Sequence, residues 1–145
     1  MIRPATPASA GFGALASEAA GEGRRSVARL AAEWRSGANR FDGPGEALRG
    51  VFRAGGLVAV GGLNADPYLR DPATARLRHV YVRPAWRRAG IGAALTRRLL
   101  LLAARRFRRV RLRTGGPGAA RLYERCGFER VAEPDATHAL DFARG

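Results

Sequence analysis

Lysine is absent from this chain. All 26 basic residues are arginine, set against 12 acidic residues for a net charge of +14. With alanine and glycine also abundant, this bias fits a GC-rich coding sequence that writes arginine wherever a cation is tolerated. Most of these arginines are therefore expected on a solvated surface. They are spread along the chain rather than gathered in an arm or tail, so those that do work suit an anionic ligand better than nucleic acid. Cysteine is nearly absent. The single Cys126 excludes an internal disulfide framework and fits a reducing compartment, which makes a cytoplasmic location the expectation. No apolar run reaches the ~18 residues of a membrane span. The start, MIRPATPASAGFGALA, lacks the apolar core of a secretory signal. No metal site and no membrane partner are expected.

What is present suits one domain over residues 1–145, with 46% hydrophobic residues to build its core. A short strand is expected at MIRPA, stopped by Pro4 and Pro7. Helical spacing of apolar residues runs from Ala8 to Arg35, broken at GEG (21–23). SGANRFDGPGE (36–46) reads as a loop. ALRGVFR and LVAVGGL form a hairpin around AGG (54–56), a second loop covers 64–74, and ARLRHVYVRP (75–84) is the strongest strand. Ala93 to Phe107 has the spacing and length of a helix. RVRLRT (109–114) alternates like a strand, and Pro117 is placed to open a short helix that ends at Gly127. FERVAE and HALDFA are the last two strands. The order β-α-α-β-β-β-α-β-α-β-β describes an α/β (α+β) chain: a mixed sheet with helices on its faces.

The stretch RRAGIG (87–92) joins the strongest strand to the strongest helix. Gly90 and Gly92 let a ligand approach the backbone, and the first turn of a helix offers unpaired N–H groups at the positive end of its dipole. That combination suits an anion, most often a phosphate. Arg87 and Arg88 add charge-assisted donors. The chain has neither G-x-x-x-x-G-K-[ST] nor a full G-x-G-x-x-G.

Arg87-x-x-Gly90-x-Gly92 resembles the [RQ]-x-x-G-x-[GA] signature of the GNAT superfamily of acetyl-CoA-dependent N-acetyltransferases. AARLYERCGF (119–128) is similar to that family's second motif, VYVRP (80–84) to its fourth strand, and IRPAT to a common opening. The resemblance spans nearly the whole chain. It implies the GNAT fold: a central, mostly antiparallel sheet of six to seven strands, helices on both faces, and fourth and fifth strands splayed apart. It further implies acetyl-CoA as co-substrate. The pyrophosphate would sit on the N–H groups of Arg88, Ala89, Gly90, Ile91, Gly92 and Ala93. The pantetheine arm would pair with the backbone of Val80, Tyr81 and Val82. Tyr123 matches the family's tyrosine and would be the general acid. Many members carry an asparagine where this chain reads TGGPG, which leaves only backbone groups there.

The implied reaction is attack of a neutral amine on a thioester, with a small molecule or peptide as acceptor. A lysine-like amine is only ~0.1% neutral at pH 7, so its proton must be removed or its pKa lowered. No base is evident. By simple alternation along the fourth strand, Arg76 and Arg78 share a face with Val80 and Val82, and His79 points the other way unless a bulge intervenes. His79, Glu33 and a water relay all remain open. Arg78 in the acceptor cleft would suit an anionic substrate, with Asn39, Arg40, Phe41 and Asn64 as further acceptor-site candidates. Asn39 and Asn64 could equally be turn residues and Phe41 a core plug. Two other readings remain: a non-catalytic acyl-CoA binder, and a nucleic-acid module built on RRFRRVRLR (105–113). The family also often forms homodimers.

Overall fold

The computed structural model describes residues 1–142, whose strands form one seven-stranded sheet in the order β1-β2-β3-β4-β5-β7-β6. The elements are β1 (Ile2–Pro4), α1 (Phe12–Gly21), α2 (Ser26–Ser36), β2 (Ala47–Arg53), β3 (Gly56–Ala65), β4 (Thr74–Val82), a single 3-10 turn (Pro84–Trp86), α3 (Ile91–Ala104), β5 (Arg109–Leu112), α4 (Pro117–Arg125), β6 (Glu129–Glu133) and β7 (Ala136–Asp141). Every pairing is antiparallel except β4 with β5. The expected order and sheet type are therefore present.

Boundaries move for local reasons. α3 starts at Ile91 rather than Ala93 because Gly90 takes φ 76° as its N-cap. β7 starts at Ala136, ahead of the expected HALDFA, because Asp135 at φ 64° makes the turn from β6 tight. Ala143 of that expected strand lies outside the described residues.

Two cores lie on opposite faces of the sheet. On one, α3 buries Ile91, Leu95, Leu99 and Ala103, a stripe at helical spacing, against β3 and β4. Burying each such leucine contributes about 1.5–3 kcal/mol. On the other, α1 and α2 bury Phe12, Leu15, Val27 and Leu30 against Leu57, Val60 and Tyr81. Adjacent glycines on β3 make room on both sides. A Cβ on Gly61 would meet Leu99 at 3.0 Å and Leu95 at 3.3 Å, and one on Gly62 would meet the Phe41 ring at 2.6 Å.

β4 carries a bulge. Val60 pairs with Tyr81 and Gly62 with Arg78, so His79 and Val80 together oppose Gly61, and His79 adopts φ 62°. This overturns simple alternation. Arg78 faces α2, where it meets Glu33 at 3.9 Å, and Tyr81 joins the α1–α2 core. Val80 and Val82 pack instead with α3. His79 also lies on the α1–α2 side, edge-on to Phe41.

Candidate active site

β4 and β5 pair over three rungs only, Thr74 with Arg109, Ala75 with Val110 and Arg76 with Arg111. Beyond Arg76 they diverge. Leu77 to Val80, Leu112 and, from α4, Tyr123 line the cavity of about 560 Å³ that opens between them. The last rung sets two buried arginines opposite each other. Asp66 pairs with both, at 2.9 Å from Arg111 Nε and 3.5 Å from Arg76 Nη1. Arg111 also donates to Glu133 at 3.1 Å, and Arg76 to the Asp135 carbonyl at 2.6 Å. The point of divergence is therefore a polar knot rather than a packed apolar seam.

The turn ahead of α3 presents a row of free donors. Ala94 N–H, the first to bond back, reaches the Gly90 carbonyl at 3.0 Å. The N–H groups of Arg88 to Ala93 have no acceptor among the described residues. Arg88 sits at φ 63°, Gly90 has open space where a Cβ would stand, and Gly92 packs on Leu122. Arg87 turns its side chain away from this row. Its terminal nitrogens donate to both Glu22 oxygens at 2.9 and 2.6 Å, and its Nε to the Val82 carbonyl at 2.9 Å. Tyr81 donates to the same carboxylate at 2.5 Å, and Arg83 pairs with Glu18 at 2.6 Å. The end of α1 thus holds the turn in place. Hydrogen bonds from Arg87, then Tyr81, bring the Glu22 pKa down to about 2.

Tyr123 stands at the head of the cavity with its ring edge-on to Phe128. Its hydroxyl makes no hydrogen bond among the described residues. Burial pushes its pKa up to about 12, so the phenol keeps its proton at neutral pH. His79 lines the same cavity, and neither of its ring nitrogens has a hydrogen-bond partner among the described residues. Burial first, then the charges of Arg78 and Arg29, lower its pKa to about 3; the Ser26 backbone, too poorly placed for a hydrogen bond, opposes them weakly. The imidazole is neutral at pH 7.

Comparison with known proteins decides the family. The sequence profile of the acetyltransferase (GNAT) domain matches residues 49–130, more than half of the chain. The chain belongs to the GNAT acetyltransferase family. No curated protein sequence matches it. Among solved structures, a candidate acetyltransferase from Exiguobacterium sp. 255-15 is 28% identical, with a TM-score of 0.85 over 97% of this chain and 92% of that one. The ribosomal-protein-alanine N-acetyltransferase from Brucella melitensis shares the fold at 22% identity and a TM-score of 0.68, over 91% and 86% of the two chains. A Mycobacterium tuberculosis protein in complex with CoA and NLQ is 26% identical over 59% of this chain and 49% of its own, with a TM-score of 0.51. Membership makes this GNAT chain one of a family of acyltransferases that generally bind acyl-CoA. None of its described helices is long and apolar enough to cross a membrane.

In this GNAT chain, four of the five acceptor-site candidates come together. Asn39, Arg40, Asn64 and Arg78 line a second cavity of about 580 Å³ beside the first, with Glu33, Asp42 and Glu46. Asn39 Nδ2 and Asn64 Oδ1 are buried there without partners among the described residues. Phe41 is not among them; it is a buried plug on Gly62. Of the run RRFRRVRLR, Arg109 and Arg111 are paired with Glu133, Asp141 and Asp66, while Arg105, Arg106, Arg108 and Arg113 are exposed. Sequence reasoning missed Arg24, Arg25, Arg29 and Tyr68. Arg24 and Arg25 follow the GEG break (21–23) and Tyr68 lies in the loop before β4, which is a weak signal, whereas Arg29 sits inside α2 with none.

Proposed function

We propose that this protein transfers the acetyl group of acetyl-CoA to an amine, with Tyr123 as general acid. The observation that carries the reading is the pairing of a row of unsatisfied N–H groups at Arg88 to Ala93 with a protonated, unpartnered phenol in the cleft where β4 and β5 part. The row fits a pyrophosphate: its donors are free, and the space beside Gly90 is open. The β4 backbone at Val80, Tyr81 and Val82 lies past the last β4–β5 rung and so can pair with an extended pantetheine arm. Arg87 acts from behind, fixing the turn through Glu22 and Val82.

In the transfer, the amine nitrogen bonds to the thioester carbonyl carbon and the carbon–sulfur bond breaks. The Tyr123 hydroxyl gives its proton to the departing sulfur, and water takes the proton the nitrogen sheds. No carboxylate among the described residues lines the cavity. Neighbouring arginines and partial burial favour the neutral amine over the ammonium, which reduces the work left for a base. His79, neutral and unpartnered, can accept a hydrogen bond from that amine. The whole chain then acts as one catalytic domain.

Two measurements test this reading. Acetyl-CoA at 100 times its Kd stabilises the native state by about 2.7 kcal/mol, seen as a rise in Tm. Gly90→Glu abolishes that rise, whereas Gly90→Ala, which carries the same backbone strain without a carboxylate, keeps most of it. Thiol release from acetyl-CoA in the presence of amines completes the test. No rise in Tm with folded protein overturns the proposal.

A further inference from the structure

Among the described residues the cavity is lined by six arginines, Arg24, Arg25, Arg29, Arg76, Arg78 and Arg113, and by no aspartate or glutamate. Two of the six are accounted for. Arg76 is bonded to Asp66 and covered by Tyr68 at 4.7 Å, and Arg78 has Glu33 at 3.9 Å. No carboxylate among the described residues is within ion-pair distance of Arg24, Arg25, Arg29 or Arg113. Like charges gathered around one concavity repel each other and raise its affinity for a counter-charge. The N–H row at Arg88 to Ala93 is separate and does not line this space, so a pyrophosphate bound there leaves these guanidiniums unmatched. Their fields reach the reacting groups: Arg24 acts on Tyr123, and Arg78 and Arg29 on His79.

We infer that the acceptor is an amine that also carries an anionic group, a carboxylate or a phosphoryl, held by Arg24, Arg25 and Arg29 at the mouth of the cavity. This rests on the acetyl-transfer reading above and narrows its substrate class. An acceptor whose only charge is its ammonium is repelled by the same arginines, so the cavity selects against polyamines as well as for zwitterions. Once the anion is docked, the surrounding positive charge works against the ammonium beside it and leaves the nitrogen free to attack.

The test pairs each acceptor with a twin lacking the anion: free L-amino acids against their carboxamides, and 2-aminoethylphosphonate against ethylamine. Thiol release from acetyl-CoA is expected to favour the anionic member of at least one pair by about 100-fold in kcat/KM. The two kinds of pair separate a carboxylate from a phosphoryl. Arg29 is exposed, so Arg29→Ala is expected to fold; without its charge-assisted hydrogen bond the preference falls about 10- to 100-fold. Arg98→Ala, which removes one charge from the outer face of α3, leaves the preference unchanged. The Tm rise with acetyl-CoA persists in Arg29→Ala, which separates acceptor binding from donor binding. Equal or better turnover of the anion-free twins or of spermidine overturns the inference. Titration calorimetry with the amino acids and 2-aminoethylphosphonate in the absence of acetyl-CoA reads the anion site alone. Binding that Arg29→Ala weakens supports the inference even if transfer fails, and absence of binding together with absence of transfer overturns it.

Discussion

Arg76 and Arg111 face each other across the last rung that joins β4 to β5, and the Asp66 carboxylate binds both. Unpaired, two such buried cations would push the strands apart along their whole length. Paired through Asp66, they tie the strands at one end and let them diverge past it. Asp66→Asn leaves two buried guanidiniums short of a counter-charge and is expected to cost about 3–5 kcal/mol. Urea unfolding measures it. A loss under ~1 kcal/mol would show that Glu133 alone satisfies the pair.

Tyr123→Phe keeps the edge-on contact with Phe128 and removes only the hydroxyl. We expect kcat to fall about 100-fold or more, with the acetyl-CoA-dependent rise in Tm unchanged. Because burial lifts the tyrosine pKa to about 12, the wild-type rate should show no loss of the acid form up to at least pH 9. A wild-type kcat in the variant would remove Tyr123 from the mechanism.

His79 predicts a specific pH dependence of stability. Its pKa falls from 6.5 unfolded to about 3 folded. Below pH 6.5 the unfolded chain therefore takes up a proton that the folded chain refuses. Stability contributed by the neutral ring is present above pH 6.5 and is lost as pH falls toward 3, at no more than about 1.4 kcal/mol per pH unit. His79→Asn, which tolerates the left-handed backbone, lacks this slope. Thermal unfolding of both proteins between pH 7 and 5 decides the point, and parallel curves refute it.

Glu22 acts in the same direction over a lower window. Its pKa drops from 4.5 to about 2, through Arg87 first and Tyr81 second. The stability it contributes is present above pH 4.5 and fades as pH falls toward 2. Glu22→Gln should be less stable than wild type at pH 7, with the gap closing through that range. It should also raise the acetyl-CoA KM, because Arg87 then holds the turn less firmly. An unchanged KM would show that the turn needs no brace.

The turn at 87–92 and Tyr123 were legible in the sequence because each belongs to a contiguous motif whose geometry is local. Gly90 needs a positive φ whatever surrounds it. The face of Arg78 was not legible, because the bulge at His79 and Val80 depends on a partner strand. Only Gly61, a residue without a side chain opposite the extra one, hinted at it. Phe41 reads equally well as a ligand contact or a plug until Gly62 is known to lie beneath it. Arg24, Arg25 and Arg29 come to line the cavity only because the α1–α2 connection and the start of α2 fold over β4, a tertiary fact with no local signature.

The arginine rim has a chemical consequence. A guanidinium keeps its proton far above neutral pH, and its delocalised nitrogens are poor nucleophiles. Lysines in the same places, their pKa values lowered by mutual repulsion, would expose neutral amines to any thioester brought into the cavity, and the protein would acylate itself. With no lysine anywhere in the chain, the cations that draw an anion inward offer no amine of their own. On the acetyl-transfer proposal, an activated acyl group bound there meets no lysine amine to consume it.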